Sequence, residues 1–219
     1  MTNFLKIILL LAIQFARAQN LSMEVLDTNF SKGSLNNKQT ITLNDVAKLL
    51  GHLCDGLVVG FLGAKEALYK LYPDGLIDRS NTRIISKSSP CLTDVAIYLT
   101  GGRYQFNTFF VSDSINYSYI IQRISDGKSF GVKLQPGIKP TEIDRLGNLA
   151  NNKKLNACEL EELREQEEAF SKKMVESNPA DDFIIEEIFD FTWKSQLQNN
   201  FTKTDTINKN SFTINRKVK

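Results

Sequence analysis

Hydrophobic and polar positions fall into blocks of different period along the chain. Residues 19–39 are polar without a sustained period and read as a lead-in to the folded core. Thr42 and Asn44 can cap a short helix running to Leu50, in which Val46, Leu49 and Leu50 share one face. From 56 to 71 the chain is apolar nearly all round, with Leu57, Val58, Phe61, Ala64, Leu68 and Leu71 prominent, the pattern of a buried helix. Gly56, Gly60, Gly63, Ala64 and Ala67 would let another element approach closely, although each glycine lowers helix stability by roughly 1 kcal/mol relative to alanine. Tyr72-Pro73-Asp74-Gly75 is a stop signal.

Residues 83–86 read as a short strand. Ser88-Ser89-Pro90 then supplies a serine N-cap and a first-turn proline, which open a helix over 91–99, and Thr100-Gly101-Gly102 closes it. Three strands follow, at 106–111, 117–124 and 129–134, the last two joined by the hairpin-type turn Ser125-Asp126-Gly127-Lys128. Residues 136–152 are turn-rich and mark the end of this core. The acidic stretch 155–175 carries Leu160, Leu163, Phe170 and Met174 on one stripe, as in a helix docked on one side. Residues 179–193 read as a second amphipathic piece, with Phe183, Ile184, Ile188 and Phe189 packing inward, and 194–219 is a polar, basic tail. The fold class expected is α+β over 40–193: helices packed on a mostly antiparallel sheet, with C-terminal amphipathic helices.

Composition adds exclusions. The chain has 219 residues, 42% hydrophobic and 24% charged, enough apolar content for one substantial core. A formal charge of +2 is too small for a dense phosphate-neutralising surface, so no nucleic-acid partner is expected. The amino terminus changes the charge further. Lys6 precedes the apolar run 7–13, and Ala16-Arg17-Ala18 follows, the layout of a secretory signal peptide over 1–18. The run is too short to span a bilayer, so no stable membrane span is expected after cleavage, and no cysteine follows Ala18 as a lipoprotein would need. Cleavage there removes Lys6 and Arg17 and leaves 25 basic against 25 acidic residues. The expected destination is outside the cytoplasm, the periplasm in a two-membrane bacterium, where each of the three cysteines needs an account as bridged, metal-bound or protected.

The one histidine, His52, lies two residues before Cys54, and Cys91 opens the next helix. Imidazole nitrogen and thiolate sulfur suit zinc and similar metals, and three protein ligands leave a position open for chemistry. Both cysteines stand near helix starts, where unpaired N–H groups favour the thiolate. Asp94, one turn after Cys91, could orient a ligand or accept a proton, or simply suit the first turn of its helix. The blander alternatives are a histidine satisfied by backbone and a Cys54–Cys91 disulfide. Cys158 sits among Glu159, Glu161 and Glu162 and reads as an incidental helix thiol.

Gly51-His52-Leu53-Cys54-Asp55-Gly56-Leu57-Val58-Val59-Gly60 resembles the Gly-His-x-Cys-x-Gly-x-x-x-Gly signature of the family of formylmethanofuran dehydrogenase E-type subunits. Pro90-Cys91 with Asp94 and then Thr100-Gly101 resembles that family's second block, 106–134 is similar to the strands that come next, and 179–183 to a helix start near the end of the core. The resemblance implies an α+β core, a dimer, and a pocket lined by His52, Cys54 and Cys91 that binds zinc or another divalent metal beside a small-molecule ligand. Three departures stand out: Asp55 in place of the usual proline, Gly102 in place of a cysteine, and Arg103-Tyr104-Gln105-Phe106 where glycine-lysine is usual. The paired-cysteine zinc finger of some relatives is absent. With a leader present, a literal part in formylmethanofuran oxidation is not expected.

The leading expectation is therefore an exported metal-binding domain with ligands His52, Cys54 and Cys91, with Asp94 and Arg103 as the residues that could take part in a reaction, Arg103 by holding an anionic group. The reaction is unassigned. The alternatives are a non-catalytic module that handles a metal or cofactor, and a structural domain held by a Cys54–Cys91 bridge.

Overall fold

A computed structural model describes residues 21–30, 33–194 and 196–197. Residues 1–18, where a leader is expected, and most of the basic tail lie outside these residues. Two sheets and six helices are present among them. β1 (Ser22–Thr28) pairs antiparallel with β2 (Leu35–Thr42) and parallel with β3 (Leu76–Asp78), giving a three-stranded sheet in the order β2-β1-β3. The second sheet runs β5-β4-β6-β7-β8, from β4 (Thr82–Ser86), β5 (Phe109–Val111), β6 (Tyr119–Arg123), β7 (Ser129–Leu134) and β8 (Phe183–Glu187). Only the β4–β5 pairing in it is parallel. The α+β class and the mostly antiparallel main sheet are as expected.

The helices are α1 (Leu43–Leu50), α2 (Asp55–Leu71), α3 (Pro90–Thr100), α4 (Thr141–Asn151), α5 (Ala157–Glu176) and the single turn α6 (Pro179–Asp182). α1 opens with a capping box, the Thr42 hydroxyl accepting from the Asp45 N–H while the Asp45 carboxylate accepts from the Thr42 N–H. It ends at Gly51, whose φ of 99° is left-handed. α3 carries the expected Ser89 cap and Pro90 start, and Gly101 in the left-handed region ends it.

α2 is the centre of the molecule. Leu57, Phe61, Ala64, Ala67, Leu68 and Leu71 are fully buried on it, and it packs against α1, α3, α5 and the inner face of β6 and β7. A methyl group on Gly60 would stand 2.7 Å from the Tyr119 hydroxyl and 3.1 Å from Leu92, and one on Gly63 would stand 2.8 Å from the Phe183 ring. The glycine face of α2 is thus filled by side chains of α3, β6 and β8. The sheet buries both faces: Ile84 and Ile121 point to the main core, while Ile85, Phe110 and Ile120 form a smaller cluster with Ile188, Phe191 and Trp193.

Three segments differ from the sequence expectation. The lead-in 19–39 contains β1 and most of β2, because Met23 and Val25 alternate inward while β2, almost wholly exposed, is held by its backbone pairing to β1. The turn-rich end of the core holds α4, which buries Ile143 and Leu146 one turn apart although Pro140 precedes it and Gly147, Asn148 and Asn151 lie within it. The second C-terminal amphipathic helix is one turn followed by a strand: Phe183 enters the core, β8 adds to β7, and Phe189 is 78% exposed. On α5, Leu163, Phe170 and Met174 face inward as expected, whereas Leu160 is exposed.

Gly60→Ala is expected to destabilise the fold by about 1–2 kcal/mol despite alanine's better helix propensity, because the buried Tyr119 has no room to retreat. Gly147→Ala on α4, where a methyl group meets nothing within 4 Å, is expected to stabilise by roughly 0.5–1 kcal/mol. Urea unfolding of both variants beside the parent checks the pair.

Candidate functional site

The two helix starts anticipated from the sequence lie side by side. Cys54 is the N-cap of α2, with extended backbone, and Cys91 follows Pro90 in the first turn of α3. Their sulfurs are 3.2 Å apart, within hydrogen-bonding distance and unbridged. Gly56 makes the approach possible, since a methyl group there would lie 3.2 Å from both Cβ and Sγ of Cys91. At that distance one sulfur can donate its S–H to the other.

Within the pair the surroundings favour the anion at Cys54. The S–H of Cys91 pulls its pKa down from an ordinary 9.0 to about 6 against the opposing effect of burial, and the Leu57 N–H and the charge of His52 help. Cys91 moves the other way, held as a thiol by its hydrogen bond to Cys54, by burial and by the neighbouring negative charges. The histidine is exposed in the loop 51–53 between α1 and α2. It acts on Cys54 as a nearby charge without closing on the sulfurs.

Asp55, the residue in place of the usual proline, is 8% exposed. One carboxylate oxygen accepts from the Gly56 N–H at 2.7 Å and the other meets the Lys139 ammonium at 3.3 Å, while Lys139 also reaches Asp144 of α4 at 2.9 Å. Burial works against the charge on Lys139, but Asp144 and Asp55 outweigh it and raise its pKa. Opposite them on α5 stands Glu167, whose carboxyl is pushed up by burial and by the charge of Asp55. Between α1, the start of α2 and α5 lies a cavity of about 420 Å³, lined by Leu43, Val58 and Val175 on its apolar side and by Cys54, Asp55 and Glu167 on its polar side. That volume lies in the range of small-molecule sites.

The other expected site residues are less central. Asp94 is half-buried on α3, and the main charges acting on the sulfurs are Asp55 and His52. Arg103 lies beyond the far end of α3, roughly 15 Å along the helix from Cys91, and its guanidinium donates to the Gly102 carbonyl at 2.8 Å. Gly102, where the resemblance leads one to expect a cysteine, is tightly enclosed: a Cβ would stand 3.0 Å from Phe109 and from Thr100. Cys158 is exposed on α5.

The family described as FmdE, molybdenum formylmethanofuran dehydrogenase operon, matches residues 50–184. The chain belongs to this family. The matched span runs from the end of α1 to β8, and so contains both cysteines, the main sheet and α5. No curated protein matches the chain. No helix among the described residues is long and apolar enough to cross a membrane.

Metal binding in an FmdE-family domain asks for donors that suit a metal, and the thiolate and thiol here have the right softness for zinc. Two thiolates on one tetrahedral zinc would stand roughly 3.8 Å apart, a little wider than the 3.2 Å observed. Among the described residues no three side chains of His, Cys, Asp and Glu are grouped to hold a metal ion. Two of the three expected ligands are therefore assembled, and His52 stands beside them, turned to solvent.

In the sequence Asp55 stands out only as a departure from the family pattern, and Lys139 and Glu167 do not stand out at all. An acidic residue directly after an N-cap was the available signal for the first. The other two arrive through the docking of α4 and α5 and carry no local mark.

Alkylation by iodoacetamide, followed on Cys54 by mass spectrometry in a Cys158→Ser background, is expected to lose rate as pH falls through about 6, since only the thiolate reacts. Cys91→Ala removes the donor and should move that midpoint upward, by about one unit or more. An unchanged profile would show that Cys91 does not set the state of Cys54.

Proposed function

We propose that this chain is an exported FmdE-family domain that binds a thiophilic divalent metal, zinc first, through Cys54 and Cys91, with His52 as the third ligand from the loop ahead of α2. The observation that carries the reading is the sulfur pair, 3.2 Å apart at two adjoining helix N-termini. The N–H groups there favour the anionic sulfur that a metal requires. A bound divalent metal would supply a Lewis acid toward a carbonyl oxygen.

The chain's own residues define what can come near. Asp55, tied to Lys139, anchors the start of α2, and the cavity beside Cys54 takes a ligand with an apolar body. Glu167, its pKa raised, is the group there suited to hold or release a proton at its carboxyl oxygen. Arg103, engaged with the Gly102 carbonyl at the far end of α3, takes no part. Export rests on the Lys6-led apolar run and the Ala16-Arg17-Ala18 ending.

A second reading, a dithiol without a metal, is favoured by the grouping of two donors rather than three. Elemental analysis and thiol titration of chain purified without oxygen separate the two. About one metal per chain with both thiols intact is expected, lost in Cys54→Ser and Cys91→Ser and weakened roughly tenfold or more in His52→Ala. Metal content that survives the loss of either cysteine, or a metal-free Cys54–Cys91 bridge, overturns the metal reading. N-terminal sequencing of the protein from its own cells is expected to begin at Gln19; a chain that keeps its first residues contradicts cleavage.

A further inference from the structure

We infer that Cys54 and Cys91 are a redox-active dithiol, oxidised by small, amine-bearing disulfides that enter the cavity between α1, α2 and α5. The inference rests on the reading of the two sulfurs as one site, and not on metal uptake.

Three observations carry it. The sulfurs are already 3.2 Å apart and unbridged, so forming a bond of about 2.05 Å asks for roughly 1.2 Å of closure. The missing side chain of Gly56 leaves that closure unobstructed from α2. The pair is also asymmetric: Cys54 lines the cavity and Cys91 does not. A disulfide in the cavity therefore meets Cys54 first, with Cys91 behind it in position to resolve the product.

The charges lining the cavity give the substrate class. Asp55, Glu167, Glu168 and Glu176 face it against Arg164 and Lys172. Arg164 is shared between Glu161 and Glu168, and Lys139 between Asp55 and Asp144, so each of these cations faces two carboxylates and the negative charge is in excess. Such a lining concentrates cations and repels carboxylates.

The exchange balances in two steps. The Cys54 sulfur attacks one sulfur of RS–SR; a Cys54–SR bond forms, the RS–SR bond breaks, and the departing sulfur takes up a proton as RSH. The Cys91 sulfur then gives up its proton and attacks the Cys54 sulfur; the Cys54–Cys91 bond forms, the Cys54–SR bond breaks, and a second RSH leaves with that proton. Two protein thiols are oxidised and one disulfide is reduced to two thiols.

The test uses the full chain, reduced and metal-free, in a Cys158→Ser background that removes the exposed third thiol. Cystamine is the probe and intact mass the readout. The parent is expected to end as the bridged form with two hydrogens lost, Cys91→Ser to stop at a stable adduct on Cys54, and Cys54→Ser to form its adduct on Cys91 at least about tenfold more slowly. Dithiodiglycolate, the dicarboxylate counterpart, should react several-fold more slowly than cystamine with Cys91→Ser. Equal adduct rates on the two single-cysteine variants, an adduct on the parent that never resolves, or no preference for the cationic probe overturns the inference. Zinc titration of the same metal-free preparations keeps the two proposals apart: stoichiometric uptake by a dithiol inert to cystamine sinks this inference alone, and a reactive dithiol that takes up no zinc sinks only the metal reading.

Discussion

The site depends on how closely α2 and α3 approach one another. Gly56 and Gly60 leave α2 without side chains on the face that meets α3, and Cys91, Leu92 and the Tyr119 hydroxyl occupy the space. Tyr119 comes from β6 and donates to the Leu92 carbonyl at 3.1 Å, so sheet and both helices meet at one point. Three glycines are a poor choice for an isolated helix, at roughly 1 kcal/mol each. Here α2 is buried along most of its surface, and the packing that the glycines admit offsets that cost. The same approach sets two helix N-termini next to each other, which is why the first sulfur of each helix finds the other.

Electrostatics then distinguish two chemically identical residues. Cys54 sits at the cap, where the Leu57 N–H and the charge of His52 favour its anion, and Cys91 serves it as donor. Asp55 adds a negative charge that works against both thiolates. Lys139 answers that charge and in doing so ties the start of α2 to α4. At the opposite end of α3, Gly102 is packed tightly against Phe109 and Thr100. The two sulfurs lie at one end of α3, and at the other end the Arg103 guanidinium donates to its neighbour's carbonyl.

What was legible in the sequence was what is specified locally. The caps Thr42 and Ser89, Pro90 at a first turn, the glycines that end α1 and α3, and the turn containing Gly127 all mark boundaries through backbone preferences of single residues. The segments that went astray take their conformation from partners. β2 is polar apart from Leu35 and Ile41, is exposed over its middle, and exists because β1 pairs with it; β8 ends in Glu186 and Glu187 and exists because β7 offers an edge. α4 follows Pro140 and carries Gly147, Asn148 and Asn151, turn-forming residues that mask its apolar stripe.

The candidate site divides along the same line. The sequence by itself determined that one histidine and two cysteines lie at or just before helix starts, that α2 has a face bare of side chains, and that the chain carries the two ordered motifs of its family, because spacing and residue type alone settle these. Only the tertiary structure decided that the sulfurs touch, that His52 turns to solvent, that Arg103 is remote, and that Lys139 and Glu167 join the site. Those are distances between elements far apart in the chain, and they follow from which faces pack together, a choice made by the whole core rather than by any local run of residues.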